Sequence, residues 1–523
     1  MEKYEYQKRA ALHPFFKLTT IILAVFLVSM QVYHAFNFPI WRDDAWFAIV
    51  AKNLAANDGY SMVLFDKNYP FHVLNSSGPI LILPAALLIF IFNNHFWVPS
   101  LANILLIWTF LIAIFAAAGA ILSKERKWLF CFLFLLFGLL FSAGSFGSYS
   151  VETNDIIALW HLLMGEVSAS LCMILSAFLL LSPTTTIRKT IVGATIGGFA
   201  LMIKTITALA LPAIMAMFTL KIFLSKNFRK SEKIKFILLA LLLISLPICS
   251  FELVKMISLG WKEFITLKLQ SAYVYKSQAY LNNSKSLLTS NAAKRLLWEF
   301  NGKYCIVAFL SIYVVYLSCK EKIFDNFAHL VGLTLIFCFC LHSLWWVFFS
   351  TGSDRHFVPA LFYYCCAMAL FIASFDYKNQ PYINKNIIFL LVFLLLCARS
   401  DAFNNLLFRG FESNKRLKEQ LLITDAVNDL KKEKITLISC GNNFELEYLA
   451  SGSKNFKHCS YLLDKSFAPN SVMLVSYYVL PKLEVTLMDD WYAGRVQAQP
   501  DYVLLRCNED YLVTENFSLR WCR

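Results

Sequence analysis

Apolar runs long enough to cross a membrane recur along the chain from about Leu18 to about Cys397. A helix needs ~20 consecutive apolar residues to cross roughly 30 Å of hydrocarbon. Short connections rich in Lys and Arg separate the runs, which is the pattern of a polytopic membrane protein. The alternation predicts an all-α membrane domain with many transmembrane helices.

Composition supports this fold class. Hydrophobic residues make up 58% of the 523 residues, and charged residues make up 16%. A water-soluble protein of this composition would have to bury its Phe, Leu and Ile side chains in one oversized core. The composition therefore excludes a soluble protein.

The distribution of Lys and Arg predicts the orientation of the helices. The N-terminal segment carries Lys3, Lys8, Arg9 and Lys17, and no signal-type cleavage site follows its apolar run. We expect a retained first helix with its amino end in the cytoplasm, because Lys and Arg concentrate in cytoplasmic loops. The basic connections expected on the same side are 123–127, 188–189, 226–235, 320–322 and 376–385.

The apolar run 78–92 decides how many helices cross the membrane. If it crossed, the basic loop 123–127 would fall on the outer side, whereas an interfacial run places every short basic loop inside. About 15 apolar residues that include Pro79 and Pro84 suit an interfacial or re-entrant helix better than a full crossing. The predicted spans, about 11 in number, put the C-terminus outside; they are 18–36, 100–122, 128–145, 156–181, 191–203, 206–224, 236–256, 304–319, 328–349, 357–375 and 386–398.

Residues 399–523 differ from this transmembrane domain of residues 1–398 and predict a small soluble α/β domain. A charged helical pattern at 412–433 precedes a strand-like run at 435–440. A short helix at 444–450 and strands at 471–477 and 501–507 are expected to follow.

Cysteine usage leaves two interpretations of this C-terminal domain open. Its cysteines form two disulfides in an oxidising compartment, with three possible pairings, or they remain thiols. These cysteines are Cys440, Cys459, Cys507 and Cys522. The other cysteines lie in or beside the predicted spans without metal-ligand spacing, and we interpret them as small core residues.

The net charge of +14 does not indicate nucleic-acid binding, because most basic residues lie at loop edges where the topology already requires them. The long outer loop 257–303 is different, since its Lys and Arg residues alternate with Trp, Phe and Tyr. Aromatic side chains favour the membrane interface and cations attract lipid phosphate. Contact with lipid headgroups is one interpretation; the other is that a loop of this length escapes the orientation rule.

Polar residues that could form a site gather at the outer ends of the predicted spans. Acids lie in the first outer loop, about 37–99, and in the second, while cations follow one later span and precede another. Each alone could cap a helix at the water boundary, but acids and cations at one face of a bundle can together form a catalytic site. The candidates are Asp43, Asp44, Glu152, Asp155, Lys204, Arg355 and His356.

Several of these residues lie in segments that resemble the superfamily-C (GT-C) glycosyltransferases, in particular the bacterial relatives of protein O-mannosyltransferases and of the lipid A aminoarabinose transferase. Residues 41–60 and 77–87 resemble that family's first outer loop, and 152–160 resemble its second. The Gly197–Thr205 segment is similar to its Gly-rich turn that ends in Lys, and 355–359 to its Arg-Tyr-x-x-Pro motif. The resemblance covers about residues 15–375.

The resemblance implies transfer of one sugar from a polyprenyl-phosphate carrier to an acceptor on the outer face of a bacterial inner membrane. Asp43 is then the expected base for the acceptor hydroxyl, and Asp44 or Asp155 orients the acceptor or stabilises positive charge on the sugar. Lys204 and Arg355 would hold the lipid phosphate, and Glu152 and His356 are possible substrate contacts. The C-terminal domain is expected to be periplasmic.

The sugar and the acceptor stay open at this point. The aminoarabinose branch has an acid where this chain has Asn75, Ser76 and Ser77, and lipid A, a polysaccharide, a teichoic acid or a protein hydroxyl could accept the sugar. No cofactor is predicted. The acids are weak evidence for a divalent cation of the kind used by the oligosaccharyltransferase branch.

Two other functions fit many of the same features. A transporter or flippase for lipid-linked glycans would also have many spans and charges at membrane edges, but it tends to carry internal repeats and midplane charges, which this sequence lacks. A polymerase or ligase of whole oligosaccharides is expected to depend on arginines in large outer loops. Arg355, in contrast, is the only arginine in its loop, and that loop is short. We therefore predict an enzyme that transfers a single sugar.

Overall fold

The computed structural model describes residues 2–40, 42–64, 67–71, 78–142, 163–226, 228–282, 326–349, 354–374, 400–440, 444–451, 457–458, 471–476, 509–513 and 517–522. The chain forms two compact units. The larger unit consists of Met1–Val32, Ser76–Leu81 and Asn103–Leu407. The smaller unit joins Tyr33–Asn75 and Ile82–Ala102, which contain most of the predicted first outer loop 37–99, to Phe408–Arg523.

Helices dominate the described part of the chain. They are α1 Glu2–Asn37, α2 Arg42–Ala55, α3 Pro79–Phe92, α4 Val98–Ala118, α5 Lys124–Ser142, α6 Glu166–Leu180, α7 Ile187–Ile203, α8 Leu211–Leu224, α9 Lys230–Leu259, α10 Trp261–Asn282, α11 Phe327–Phe349, α12 Val358–Ser374, α13 Ser400–Lys432 and α14 Phe444–Leu449. The strands are β1 Ser61–Leu64, β2 Lys67–Pro70, β3 Thr436–Cys440, β4 Lys457–His458, β5 Ser471–Ser476, β6 Glu509–Val513 and β7 Phe517–Cys522. Short 3-10 helices precede α8 and α12.

The protein is a multi-pass membrane protein. Five described helices are long and apolar enough to cross a bilayer: Pro14–Asn37, Val98–Ala118, Thr205–Leu224, Lys230–Leu259 and Phe327–Phe348. Each coincides with a predicted span. The predicted spans at 128–145, 156–181, 191–203 and 357–375 overlap α5, α6, α7 and α12. The predicted spans at 304–319 and 386–398 lie outside the described residues.

The predicted continuous span 156–181 is wrong in one respect. Residues 163–165 are not helical, and α6 begins only at Glu166. Gly165 has a φ of 87°, a left-handed conformation that interrupts a helix and that glycine adopts without strain. The Glu166 carboxylate therefore lies at a helix N-terminus, where the macrodipole favours negative charge, rather than in the middle of a span.

The predicted long outer loop 257–303 begins as a helix. Helix α9 ends at Leu259, and Gly260, with a φ of 76°, interrupts the helical backbone. Helix α10 then runs from Trp261 to Asn282. Residues 261–282 contain no Gly or Pro that would interrupt a helix. Glu252 of α9 pairs with Lys255 at 3.0 Å and with Lys268 of α10 at 2.5 Å, which ties the two helices together.

The apolar run 78–92 forms α3, a helix of 14 residues. At 1.5 Å per residue it is about 21 Å long, which is too short to cross the hydrocarbon core. One side is buried through residues such as Leu81, Ile82 and Ala85, while Leu87 and Phe90 on another side are exposed. An apolar helix with an exposed apolar face agrees with the interfacial placement predicted from charge.

Small residues let α7 pack closely against its neighbours. A Cβ atom at Gly197 would lie 2.9 Å from the Ser176 hydroxyl of α6, and one at Gly198 would lie 2.6 Å from the Ile244 carbonyl oxygen of α9. Close backbone approach through small residues is a common basis of helix association in membranes. This packing fixes the end of α7, where Lys204 follows.

In the smaller unit, the C-terminal strands form one sheet with the order β4-β3-β5-β7-β6. Strand β3 is parallel to β4 and β5, whereas β7 is antiparallel to β5 and β6. One face of α13 packs on this sheet through Ile423, Val427 and Leu430, which contact Leu437 of β3 and Val472 of β5. The spacing of these α13 residues places them on one side of the helix.

Most C-terminal elements lie close to their predicted positions, since α13 covers all of the predicted 412–433 except its last residue, and β3, α14 and β5 each match to within one residue. The strand expected at 501–507 lies outside the described residues. Strands β6 and β7 were not predicted, because Asp510 and Arg520 within them obscure the strand pattern. The side chains of the C-terminal cysteines are not described; Cys131, Cys172, Cys249, Cys338, Cys340, Cys365 and Cys366 are free thiols.

The smaller unit also contains a direct link between α13 and the segment that precedes α2. The Gln420 side chain donates from Nε2 to the Ile40 carbonyl at 3.0 Å and accepts the Ile40 N–H on Oε1 at 3.2 Å. Both residues are buried. One amide side chain thus satisfies both backbone groups of Ile40, two residues before α2 begins.

Replacing Gln420 with Leu should destabilise the protein by about 1–3 kcal/mol, because the buried N–H and C=O of Ile40 would lose their partners. The measurement is thermal unfolding in lipid nanodiscs. Lys418→Leu, at an exposed position of the same helix, is the matched control and should change little. Equal effects of the two substitutions would contradict the prediction.

Candidate functional site

Lys204 lies at the junction between α7 and the 3-10 helix Thr205–Ala210, where its backbone is extended. Its ammonium is 3.2 Å from Oε1 of Glu166 and donates to the Met164 carbonyl at 3.0 Å. The Lys204 side chain is 12% exposed and that of Glu166 is 1% exposed. The predicted phosphate-binding cation is therefore part of a largely buried ion pair.

Gly165 places the two partners of Lys204. A Cβ atom at this position would lie 2.9 Å from the Leu81 side chain and 3.1 Å from the Ile203 side chain. Both the left-handed backbone and this crowding therefore require glycine. The resulting turn brings the Met164 carbonyl and the Glu166 carboxylate to the same ammonium.

The segment that leads into α3 contacts the end of α7, close to Lys204. A Cβ atom on Gly78 would lie 2.1 Å from the Met202 carbonyl oxygen, so the two backbones are in direct contact. Pro79 then begins α3, a position that suits proline because the first helical N–H has no partner within the helix. Residues 78–81, 163–166 and 202–204 together form what we term the Lys204 cluster.

Glu166 was missed as a site residue. It is the only acidic residue in the apolar sequence from 162 to 181, and an ionisable residue in such a run is by itself a sign of function. Sequence interpretation placed it inside a span without a partner. A buried carboxylate needs a cation or hydrogen-bond donors, and Lys204 supplies that cation.

His356 lies in the 3-10 helix Asp354–Phe357, immediately before α12. Its carbonyl accepts a hydrogen bond of 2.7 Å from Nε2 of His342 on α11, and its ring lies 6.2 Å from that of Trp345. The contact fixes the backbone of the turn that contains Arg355. The side chain of Arg355 lies outside what the structure describes.

Asp43 and Asp44 occupy the first turn of α2, in the smaller unit, where the helix macrodipole favours carboxylates. Asp44 is fully buried. Burial raises the pKa of Tyr448 well above its usual value, and the nearby charge of Asp44 raises it further. The Asp43 side chain, and all of Glu152 and Asp155, lie outside what the structure describes.

Within the described residues, no group of three or more His, Cys, Asp or Glu side chains could hold a metal ion. The structure thus brings Lys204 together with Glu166 in the larger unit. In the smaller unit, the charge of Asp44 acts on Tyr448. His356 lies apart from both pairs, in the turn before α12.

Comparison with known proteins gives the fold. No family model and no curated protein sequence matches the chain. The solved structure of ArnT from Cupriavidus metallidurans bound to undecaprenyl phosphate matches with a TM-score of 0.56 and 10% identity, over 96% of this chain and 97% of ArnT. The apo structure of the same protein matches with a TM-score of 0.54 and 11% identity over the same shares. The chain therefore has the GT-C fold, as the loop segments led us to expect.

Replacing Gly78 with Ala should disturb the Lys204 cluster, because the added methyl group would overlap the Met202 carbonyl. Overpacking of this kind costs about 1–3 kcal/mol or more. The measurement is the unfolding temperature in nanodiscs, with Gly119→Ala as control, since a Cβ atom there would lie 3.2 Å from its nearest neighbours, the Ala116 carbonyl oxygen and the Lys127 side chain. A Gly78 variant as stable as this control would show that the two segments are not in tight contact.

Proposed function

We propose that the protein is a glycosyltransferase that moves a single sugar from a polyprenyl-phosphate carrier to an acceptor on the outer face of a bacterial inner membrane. Its fold is that of ArnT, which has been solved with undecaprenyl phosphate bound. The observation that carries the proposal is the Lys204 cluster, in which the Glu166 carboxylate and the Met164 carbonyl hold one cation in a largely buried position. In this proposal, the C-terminal part of the chain lies in the periplasm.

Lys204 is proposed to bind the carrier phosphate, together with Arg355. A lipid phosphate is a stable leaving group, so it needs cations that stabilise its charge rather than an acid that protonates it. A largely buried ammonium interacts more strongly with an anion than a solvated one. Arg355 adds a guanidinium, which can hold two phosphate oxygens at once.

Glu166 is proposed to hold Lys204 in place before the donor binds. The ion pair orients the ammonium in surroundings where a lone cation would be costly. A phosphate that enters then meets a cation already in position. Such preorganisation lowers the reorganisation needed at the moment of reaction.

Asp43 is proposed to act as the base. It accepts the proton of the acceptor hydroxyl while the hydroxyl oxygen bonds to the anomeric carbon and the bond from that carbon to the phosphate oxygen breaks. Asp44 is fully buried, so it suits an orienting role better than proton transfer with a soluble or lipid acceptor. Asp155 is assigned to acceptor orientation or charge stabilisation, and Glu152 and His356 to substrate contacts.

Asp43→Asn should reduce sugar transfer by roughly 10²- to 10⁴-fold, because an amide cannot accept the hydroxyl proton, while donor binding is retained. The measurement is transfer from radiolabelled polyprenyl-phosphate sugars by protein in nanodiscs, with candidate acceptors present. Asp58→Asn removes an exposed carboxylate from the same loop and should leave transfer unchanged.

Normal transfer by the Asp43 variant would remove Asp43 from the chemistry. A wild-type protein that transfers no sugar, but moves the carrier between the leaflets of proteoliposomes, would replace the enzyme with a transporter of lipid-linked glycans.

Lys204→Met should both destabilise the protein and weaken donor binding. The variant leaves the buried Glu166 carboxylate without its cation, which costs about 3–5 kcal/mol. The double variant Lys204→Met/Glu166→Leu removes both charges, so its unfolding temperature should recover while binding of polyprenyl phosphate stays weak. Wild-type donor affinity in the double variant would mean that Lys204 is only structural.

A further inference from the structure

Lys52, in the last turn of α2, reaches the C-terminal end of α14. Its ammonium donates to the carbonyls of Glu447 at 2.9 Å, Tyr448 at 2.9 Å and Ala450 at 2.6 Å. The last carbonyls of a helix lack partners within the helix, and an ammonium has three protons to donate. One lysine therefore satisfies three carbonyls at the end of α14.

This lysine is partly buried, and its ammonium donates to protein carbonyls in place of water. Burial lowers the pKa of Lys52 to about 8, Glu447 opposes the shift, and Lys431 adds to it. The negative end of the α14 dipole and the three carbonyls compensate the cost of burying the charge. A contact made only by apolar packing would not require a charged side chain at this position.

A second donor acts on the same turn of α14. Asn94, two residues after α3, donates from Nδ2 to the carbonyls of Tyr448 at 2.8 Å and Leu449 at 2.9 Å. The Tyr448 hydroxyl in turn donates to the His95 carbonyl at 3.0 Å. The end of α14 is thus held both from α2 and from the segment that follows α3.

The other end of α2 is also attached to the C-terminal part of the chain. Gln420 holds both backbone groups of Ile40 just before the helix, and the charge of Asp44 in the first turn raises the pKa of Tyr448. Together with Lys52 in the last turn, residues between 420 and 450 therefore act on both ends of α2.

We infer that Lys52 is a positioning residue that, by capping α14, fixes α2 and with it the acid pair Asp43–Asp44. The inference rests on the proposed function, in which Asp43 is the base. It gives the C-terminal part of the chain a role in the reaction although none of its residues is assigned to the chemistry. Small displacements of a catalytic group are enough to slow a reaction strongly.

The test compares Lys52→Met and Lys52→Arg with Lys418→Met, which alters an exposed lysine of α13. Two quantities are measured on each protein in nanodiscs: amide hydrogen exchange in 44–55 and 444–450, and kcat and donor KM for sugar transfer. Asn94→Ala is the second variant, since it removes a different donor from the same carbonyls.

Lys52→Met should speed exchange in both segments and lower kcat by roughly 10- to 100-fold with little change in donor KM. Lys52→Arg keeps the charge and several donors, so it should recover most of kcat. Asn94→Ala should act in the same direction but less strongly, and Lys418→Met should behave as wild type.

Unchanged exchange in Lys52→Met would overturn the capping contact. Faster exchange with an unchanged kcat would show that the contact is structural and does not position the acids. A fall in donor affinity alone would assign Lys52 to donor binding instead. If the wild-type protein transfers no sugar, the proposed function fails and the positioning role fails with it, while the exchange data still decide the contact.

Discussion

A charged side chain removed from water persists only with a partner, and this constraint explains the most informative contacts in both units. Lys204 has Glu166 and the Met164 carbonyl. Lys221 of α8 donates to the carbonyls of Leu180, at 3.1 Å, and Ser182 at the end of α6. Lys52 does the same for α14. In each case a lysine satisfies backbone carbonyls that would otherwise be left without donors.

The same constraint gives a physical reason for motifs that at first stand only on resemblance. Gly78 and the turn that ends in Lys204 belong to different motifs, far apart in sequence, yet the backbone of Gly78 touches the Met202 carbonyl. Gly165 contacts both the start of α3 and the end of α7. The glycines are therefore required by close approach around one cation, and each motif depends on the others.

Sequence reasoning identified features with a local signal. Hydropathy and charge predicted the five long spans, the short helix α3 and the place of Lys204 after α7, because these depend on neighbouring residues. It missed Glu166 as the partner of Lys204, and it missed β6 and β7, whose polar residues hide the strand pattern. It also separated the first outer loop from the C-terminal part, because the pairing of Ile40 with Gln420, 380 positions away, leaves no local trace.

The contact between Lys52 and α14 has a consequence for the order in which the protein is made. The carbonyl of Glu447 lies 395 positions after Lys52, and at ribosomal speed this separation corresponds to roughly 20 to 80 seconds of synthesis. During that interval the ammonium has no α14 to cap, although α2 has long since left the ribosome. A chain that ends before Glu447 therefore has α2 without this contact. In the proposed function, the acid pair Asp43–Asp44 is therefore held by this contact only when the full chain has been made.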